Sequence, residues 1–135
     1  MTELNSQQFG LCDIQGRLFE LAHKNGYDCE NFIEKFMNSK TAAALDKSYD
    51  RLQWAGEEYI LEELIDEVGT LKKAGTFYHN EIMYWTGYTY RYWLYYTGEN
   101  SREIYKIADA QTMAECYSGF HTMDVKMAID RLKGN

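Results

Sequence analysis

The stretch that decides the fold is Phe77 to Tyr96, FYHNEIMYWTGYTYRYWLYY. It holds ten of the 21 Tyr, Trp and Phe residues of the 135-residue chain, and Glu81 and Arg91 are its only formal charges besides His79. Two periodicities compete within it. Tyr88, Tyr90, Tyr92 and Leu94 alternate with Thr89, Arg91 and Trp93, and aromatic residues favour strands. At helical spacing, Tyr78, Ile82, Trp85, Thr89, Tyr92 and Tyr96 form one continuous face. The flanking segments decide for helix, because they are themselves helical in pattern and none offers a partner strand with matching alternation.

Upstream, Leu11, Ile14, Leu18 and Leu21 recur at spacings of three and four from Gln7 to Lys24, with Asn25 and Gly26 as the stop. Asp28 caps a second helix carrying Phe32, Ile33, Phe36 and Met37. Ser39 opens a third piece, with Ala42, Leu45, Tyr49 and Leu52 as its expected inner stripe. Glu57 to Val68 is the clearest amphipathic helix: Ile60, Leu61, Leu64, Ile65 and Val68 face one way, and Gly69 ends it. Downstream, Gly98 closes the aromatic helix and Asn100 with Glu103 reads as a capping box. Asp109 and Asp124 cap two more helices. With no proline and no internal repeat, the expectation is all-α: one domain over residues 1–135, a compact bundle of about seven short-to-medium helices.

Charge narrows the function classes. A net charge of −7 argues against nucleic acid, whose backbone must be neutralised by Lys and Arg, and against anionic membrane surfaces. No run approaches the roughly 20 apolar residues of a membrane span, and the first ten residues lack a basic and an apolar signal region. Cys12, Cys29 and Cys116 are odd in number and outside any paired motif, as expected of reduced thiols in a cytoplasmic protein.

No reaction motif emerges. His23, His79 and His121 have no ligand at helical spacing, so no metal is expected. Neither a nucleophile elbow nor a phosphate-cradling glycine loop occurs, so no catalytic residues and no cofactor are assigned. His121 lies in a turn, Gly119 to Asp124, that it is expected to tie by hydrogen bonds, with ligand contact as the alternative. The outer face of the Glu57–Val68 helix carries Glu57, Glu58, Glu62, Glu63, Asp66 and Glu67, and is either a solvated face or a docking surface for a basic partner. Arg91 has Tyr88, Tyr90, Tyr92 and Tyr95 around it. It is either an internal ion pair or cation–π group, or the centre of an exposed patch of the Tyr, Trp and Arg type that dominates interface energetics. So many tyrosine hydroxyls are hard to pair inside a small domain. That favours partial exposure, and with it a binding defect rather than a folding defect in Arg91→Ala.

Several strings resemble one group of small bacterial proteins: Asn25-Gly26-Tyr27-Asp28, Met37 to Ala42, QWAGEEYILEE from Gln53 to Glu63, Gly87 to Trp93, Thr97 to Ser101, and Phe120 to Asp124. Proteins of this group are similar to products of short operons that also encode an ADP-ribosyltransferase-like toxin. The resemblance spans nearly the whole chain and implies an antitoxin-like or accessory protein acting by contact with another protein. No catalytic residues are established in the group, so none carry over. Two functional expectations follow. The first is a protein-binding module using Glu58 and Glu62 on one surface and the Tyr/Arg helix on another. The second is a small-ligand or nucleotide sensor in which Trp85, Tyr88, Arg91 and Tyr92, with Tyr95 and His121 as further candidates, line a pocket where a base stacks on rings and Arg91 holds phosphate.

Overall fold

The computed structural model describes residues 3–134. Among them eight α-helices follow in order: α1 (Ser6–Lys24), α2 (Cys29–Met37), α3 (Lys40–Asp46), α4 (Glu57–Val68), α5 (Asn80–Thr97), α6 (Ser101–Ile107), α7 (Ala110–Phe120) and α8 (Val125–Leu132), with a 3₁₀ turn at Arg51–Trp54 between α3 and α4. No strand is present among these residues beyond an isolated Tyr27–Lys73 bridge. The helix ends follow side-chain chemistry. Asp28, Ser39, Asp109 and Asp124 each accept a backbone amide at an N-terminus, and Asn5–Gln8 and Asn100–Glu103 form reciprocal capping boxes. Gly98 closes α5 in the left-handed conformation, φ 82°.

Helix α5 is the axis of the fold, buried on more than one face: Met83, Thr86, Gly87, Thr89, Tyr90, Arg91, Tyr92 and Trp93 are all inside. Its main partner is α1. Two glycines permit that crossing. A Cβ on Gly87 would sit 2.5 Å from the Gln15 carbonyl oxygen and 2.9 Å from the Phe19 ring, and one on Gly16 would sit 2.6 Å from the Tyr84 ring. Gln15 Nε2 donates to Gly87 O across the gap at 3.0 Å. Around this pair, Leu18, Phe19, Phe32, Ile33, Phe36, Met37, Ile60, Leu64, Met113 and Ile129 complete one continuous apolar cluster.

Arg91 lies within this core, not on a recognition patch: it is 2% exposed. Its Nη1 pairs with Asp46 Oδ1 at 2.7 Å and its Nε donates to Gln15 Oε1 at 2.9 Å. Asp46 also accepts from the Ser101 amide and hydroxyl, so one buried network joins α1, α3, α5 and α6. The difficulty of pairing many tyrosine hydroxyls is met by partners remote in sequence. Tyr84 donates to Asp13 at 2.5 Å, Tyr90 to Ala108 O at 2.6 Å, Tyr96 to Asp130 and Tyr78 to Glu30.

Two further expectations are corrected. The third helix stops at Asp46, where Lys47 turns to extended backbone, so Tyr49 leaves the inner stripe and stands 78% exposed. The aromatic helix begins at Asn80, which leaves Phe77 and Tyr78 in the connection from α4. There Tyr78 N donates to Cys29 Sγ and His23 Nδ1 lies 2.7 Å from Tyr78 O, fixing where α5 starts.

The acidic end of α4 has a structural use. Glu67 opposes its own helix dipole, yet its carboxylate accepts from the Lys40 amide at 2.7 Å, the Thr41 amide at 2.9 Å and the Thr41 hydroxyl at 2.8 Å, at the N-terminus of α3. Burial raises its pKa, but these bonds outweigh burial and hold the carboxyl below its ordinary range. A depressed folded pKa contributes stability above the unfolded value of about 4.3, and that stability is lost as pH falls through the folded value. Glu67→Gln is therefore expected to unfold more easily than the parent at pH 7, with the two curves converging below about pH 4. An equal gap at pH 7 and pH 3 would contradict this role.

Candidate functional site

Two surfaces carry chemistry that the fold does not consume. The first is an open cleft of about 360 Å³ between the N-terminal half of α5 and the C-terminal end of α7, lined by Glu20, Asn80, Glu81, Tyr84, Trp85, Tyr88, Tyr117 and His121. Its volume is at the small end of the ligand-site range. Tyr84 and Tyr88, one turn apart on α5, have ring centroids 5.9 Å apart. Trp85 meets Tyr117 edge-on at 5.7 Å, and Tyr117 stacks on His121 at 4.1 Å and 9°. His121 is the C-cap residue of α7. Its Nδ1 lies 2.7 Å from Tyr117 O, and because a carbonyl only accepts, that nitrogen carries a proton. This bond ties His121 back to the last turn of α7, while the turn that follows is closed by the Met123 amide donating to Phe120 O at 3.0 Å.

Several hydrogen-bonding groups of the wall are already engaged within the protein. Tyr84 O–H donates to Asp13, and burial first, then this bond to a carboxylate, pushes its pKa well above the ordinary phenol value. Burial likewise raises Tyr88. Asn80 Nδ2 donates to Glu20 Oε2 at 2.7 Å. The Glu81 carboxylate has no hydrogen-bond or ion-pair partner among the described residues and is exposed. No Lys or Arg lines the cleft.

The expected ligand pocket is thus brought together only in part. Trp85, Tyr88 and His121 share the cleft. Arg91 does not, being committed to Asp46 and Gln15, so no arginine is there to hold a phosphate. Tyr92 is buried, with Phe9 edge-on at 6.1 Å and Tyr88 stacked at 6.4 Å. Tyr95 lines a separate groove with Asn5, Gln8, Asp46 and Gln53.

The second surface is built by the 3₁₀ turn and α4. Tyr49, Trp54 (68% exposed) and Tyr59 are three of the seven large hydrophobic side chains that stand exposed among the described residues. Residues three apart eclipse in a 3₁₀ turn, which puts Arg51 and Trp54 on one side. Arg51 Nη1 donates to Tyr59 O–H at 3.2 Å and Nη2 pairs with Glu63 at 3.7 Å. Glu58, Glu62 and Asp66 are exposed beside them on α4. Glu63 and Glu67 are already engaged, so the acidic face is smaller than the sequence suggests and has an aromatic edge. Trp54 and Tyr59 escape sequence reasoning because each lies off the apolar face of its segment, and nothing local marks a lone aromatic as exposed. Tyr117 left a legible signal, its spacing of four from His121.

The three cysteines are free thiols. Burial pushes Cys12 up to about 12, so it is no nucleophile at neutral pH. Among the described residues no group of three or more His, Cys, Asp and Glu is arranged to hold a metal ion, and no helix is long and apolar enough to cross a membrane. No protein-family model, curated protein or solved structure matches the chain.

Proposed function

We propose that this protein is a non-catalytic binding module that acts by contact with a basic protein partner, in the manner of an antitoxin-like or accessory component of a toxin-encoding operon. The observation that carries the reading is the surface on which exposed Trp54 and Tyr59, joined through Arg51, adjoin the unpaired carboxylates of Glu58, Glu62 and Asp66. Exposed Trp and Tyr supply much of the energy of interfaces, and a one-signed acidic face speeds encounter with a basic surface. The network around Arg91 contributes rigidity to this module and takes no part in recognition. The net charge of −7 accords with a protein partner and not with nucleic acid.

The test is association with the product of the neighbouring gene. Binding at micromolar concentration is expected. Trp54→Ala is expected to weaken it by about 30-fold or more, the effect of losing a hot-spot aromatic. Glu58→Lys with Glu62→Lys should slow association and reduce its salt dependence, and both variants should keep parental stability. No association at micromolar concentration, with the activity of that product unchanged, would contradict the reading.

A further inference from the structure

We propose that the aromatic cleft between α5 and α7 is a binding site for a quaternary ammonium group. It shares no residue with the α4 surface, so it stands or falls separately from the contact function. Four aromatic rings, Tyr84, Trp85, Tyr88 and Tyr117, line it in two differently inclined pairs: one tilted by 34° and the other near perpendicular at 79°. Ring faces carry negative potential, and several converging on one space attract a cation that has given up its water. Two carboxylates, Glu20 and Glu81, border the same space and no cation does, so the field favours positive charge and disfavours phosphate or carboxylate ligands.

The hydrogen bonds decide which cation. A primary ammonium or a guanidinium entering a cleft must replace its bonds to water. The wall offers an N–H few acceptors: the Tyr84 hydroxyl is turned to Asp13, Glu20 Oε2 already accepts from Asn80 Nδ2, Glu81 stands exposed to water at the border, and the ring faces between them present no lone pair. A quaternary ammonium has no N–H to satisfy and offers only polarised methyl groups, which ring faces accept. A volume of about 360 Å³ exceeds a trimethylammonium head and leaves room for a short substituent. That head could come from a free choline-type molecule or from a trimethylated lysine of a protein.

The test titrates the intact protein with choline, with a trimethyllysine peptide and with 3,3-dimethyl-1-butanol, the neutral isostere of choline, reading by NMR the Trp85 indole resonance, or the Tyr117 ring resonances in Trp85→Leu. Saturable shifts with at least one of the two cations are expected, at least tenfold tighter than with the neutral alcohol. The tighter of the two identifies the source of the group. Trp85→Leu and Tyr117→Leu, which keep apolar bulk but remove a ring face, should each weaken binding at least tenfold. Glu81→Gln, on an exposed side chain, should weaken it severalfold and flatten its salt dependence with the fold intact. Equal binding of the alcohol, no saturable shift with either cation, or unchanged affinity in Glu81→Gln and Trp85→Leu alike would overturn the proposal.

Discussion

Arg91→Ala is expected to destabilise the free protein by about 3–5 kcal/mol, the range for stranding the partner of a buried ion pair. The side chain is 1% exposed and its partner Asp46 only 12%, so removing the guanidinium leaves a carboxylate that water reaches poorly. Ser101 still donates to Asp46 but brings no charge, and Gln15 Oε1 loses its donor. The double variant Arg91→Ala/Asp46→Ala should cost less than the two single changes combined, because the second change removes the charge that the first exposed. Denaturant unfolding measures both. A loss under about 1 kcal/mol for Arg91→Ala, the size of an ordinary surface change, would place the arginine outside the core.

Gly87→Ala is the second large effect, and its sign runs against local propensity. Within a helix, alanine is favoured over glycine by about 0.5–1 kcal/mol, and Gly10, on α1 with nothing within 4 Å of an added Cβ, should show that gain. At Gly87 the methyl would meet the Gln15 carbonyl oxygen at 2.5 Å. Backbone cannot rotate aside, so α1 and α5 must separate. Overpacking of this kind costs about 1–3 kcal/mol, enough to reverse the propensity gain and strain the Gln15–Gly87 bond. Thermal unfolding should therefore rank Gly10→Ala above the parent and Gly87→Ala below it. A stabilised Gly87→Ala would show that the two helices do not cross so closely.

What could be read in the sequence was local. Asp28, Ser39, Asp109 and Asp124 stand where a cap belongs, Gly69 and Gly98 end their helices at positive φ, and the Asn100–Glu103 box is present. These are contacts within a few residues, and apolar periodicity supplies the faces between them. What escaped depends on partners far along the chain. Asp46 is 45 residues from Arg91 and Asp13 is 71 from Tyr84; no spacing rule links either pair. Counting hydroxyls without those acceptors makes the aromatic helix look too polar to bury, which tilts the open choice for Arg91 toward partial exposure. Glu67 misled in the same way, because the helix it stabilises is α3 and not its own. The cleft was half legible: Trp85, Tyr88 and His121 were candidates, but the α5–α7 approach that brings Tyr117 to Trp85 is tertiary.

Aromatic residues divide their labour: α5 is core where it carries Trp93, a cleft wall where it carries Trp85, and the exposed aromatic surface proposed for partner contact lies elsewhere, at Trp54. Fluorine NMR of protein labelled with 5-fluorotryptophan tests it directly, since the three Trp positions give three resonances that single Trp→Phe variants assign. A soluble paramagnetic probe should broaden Trp54 (68% exposed) most, the half-buried Trp85 less, and Trp93 (0%) not at all. Broadening of Trp93 comparable to that of Trp54, or protection of Trp54 in the free protein, would contradict the account.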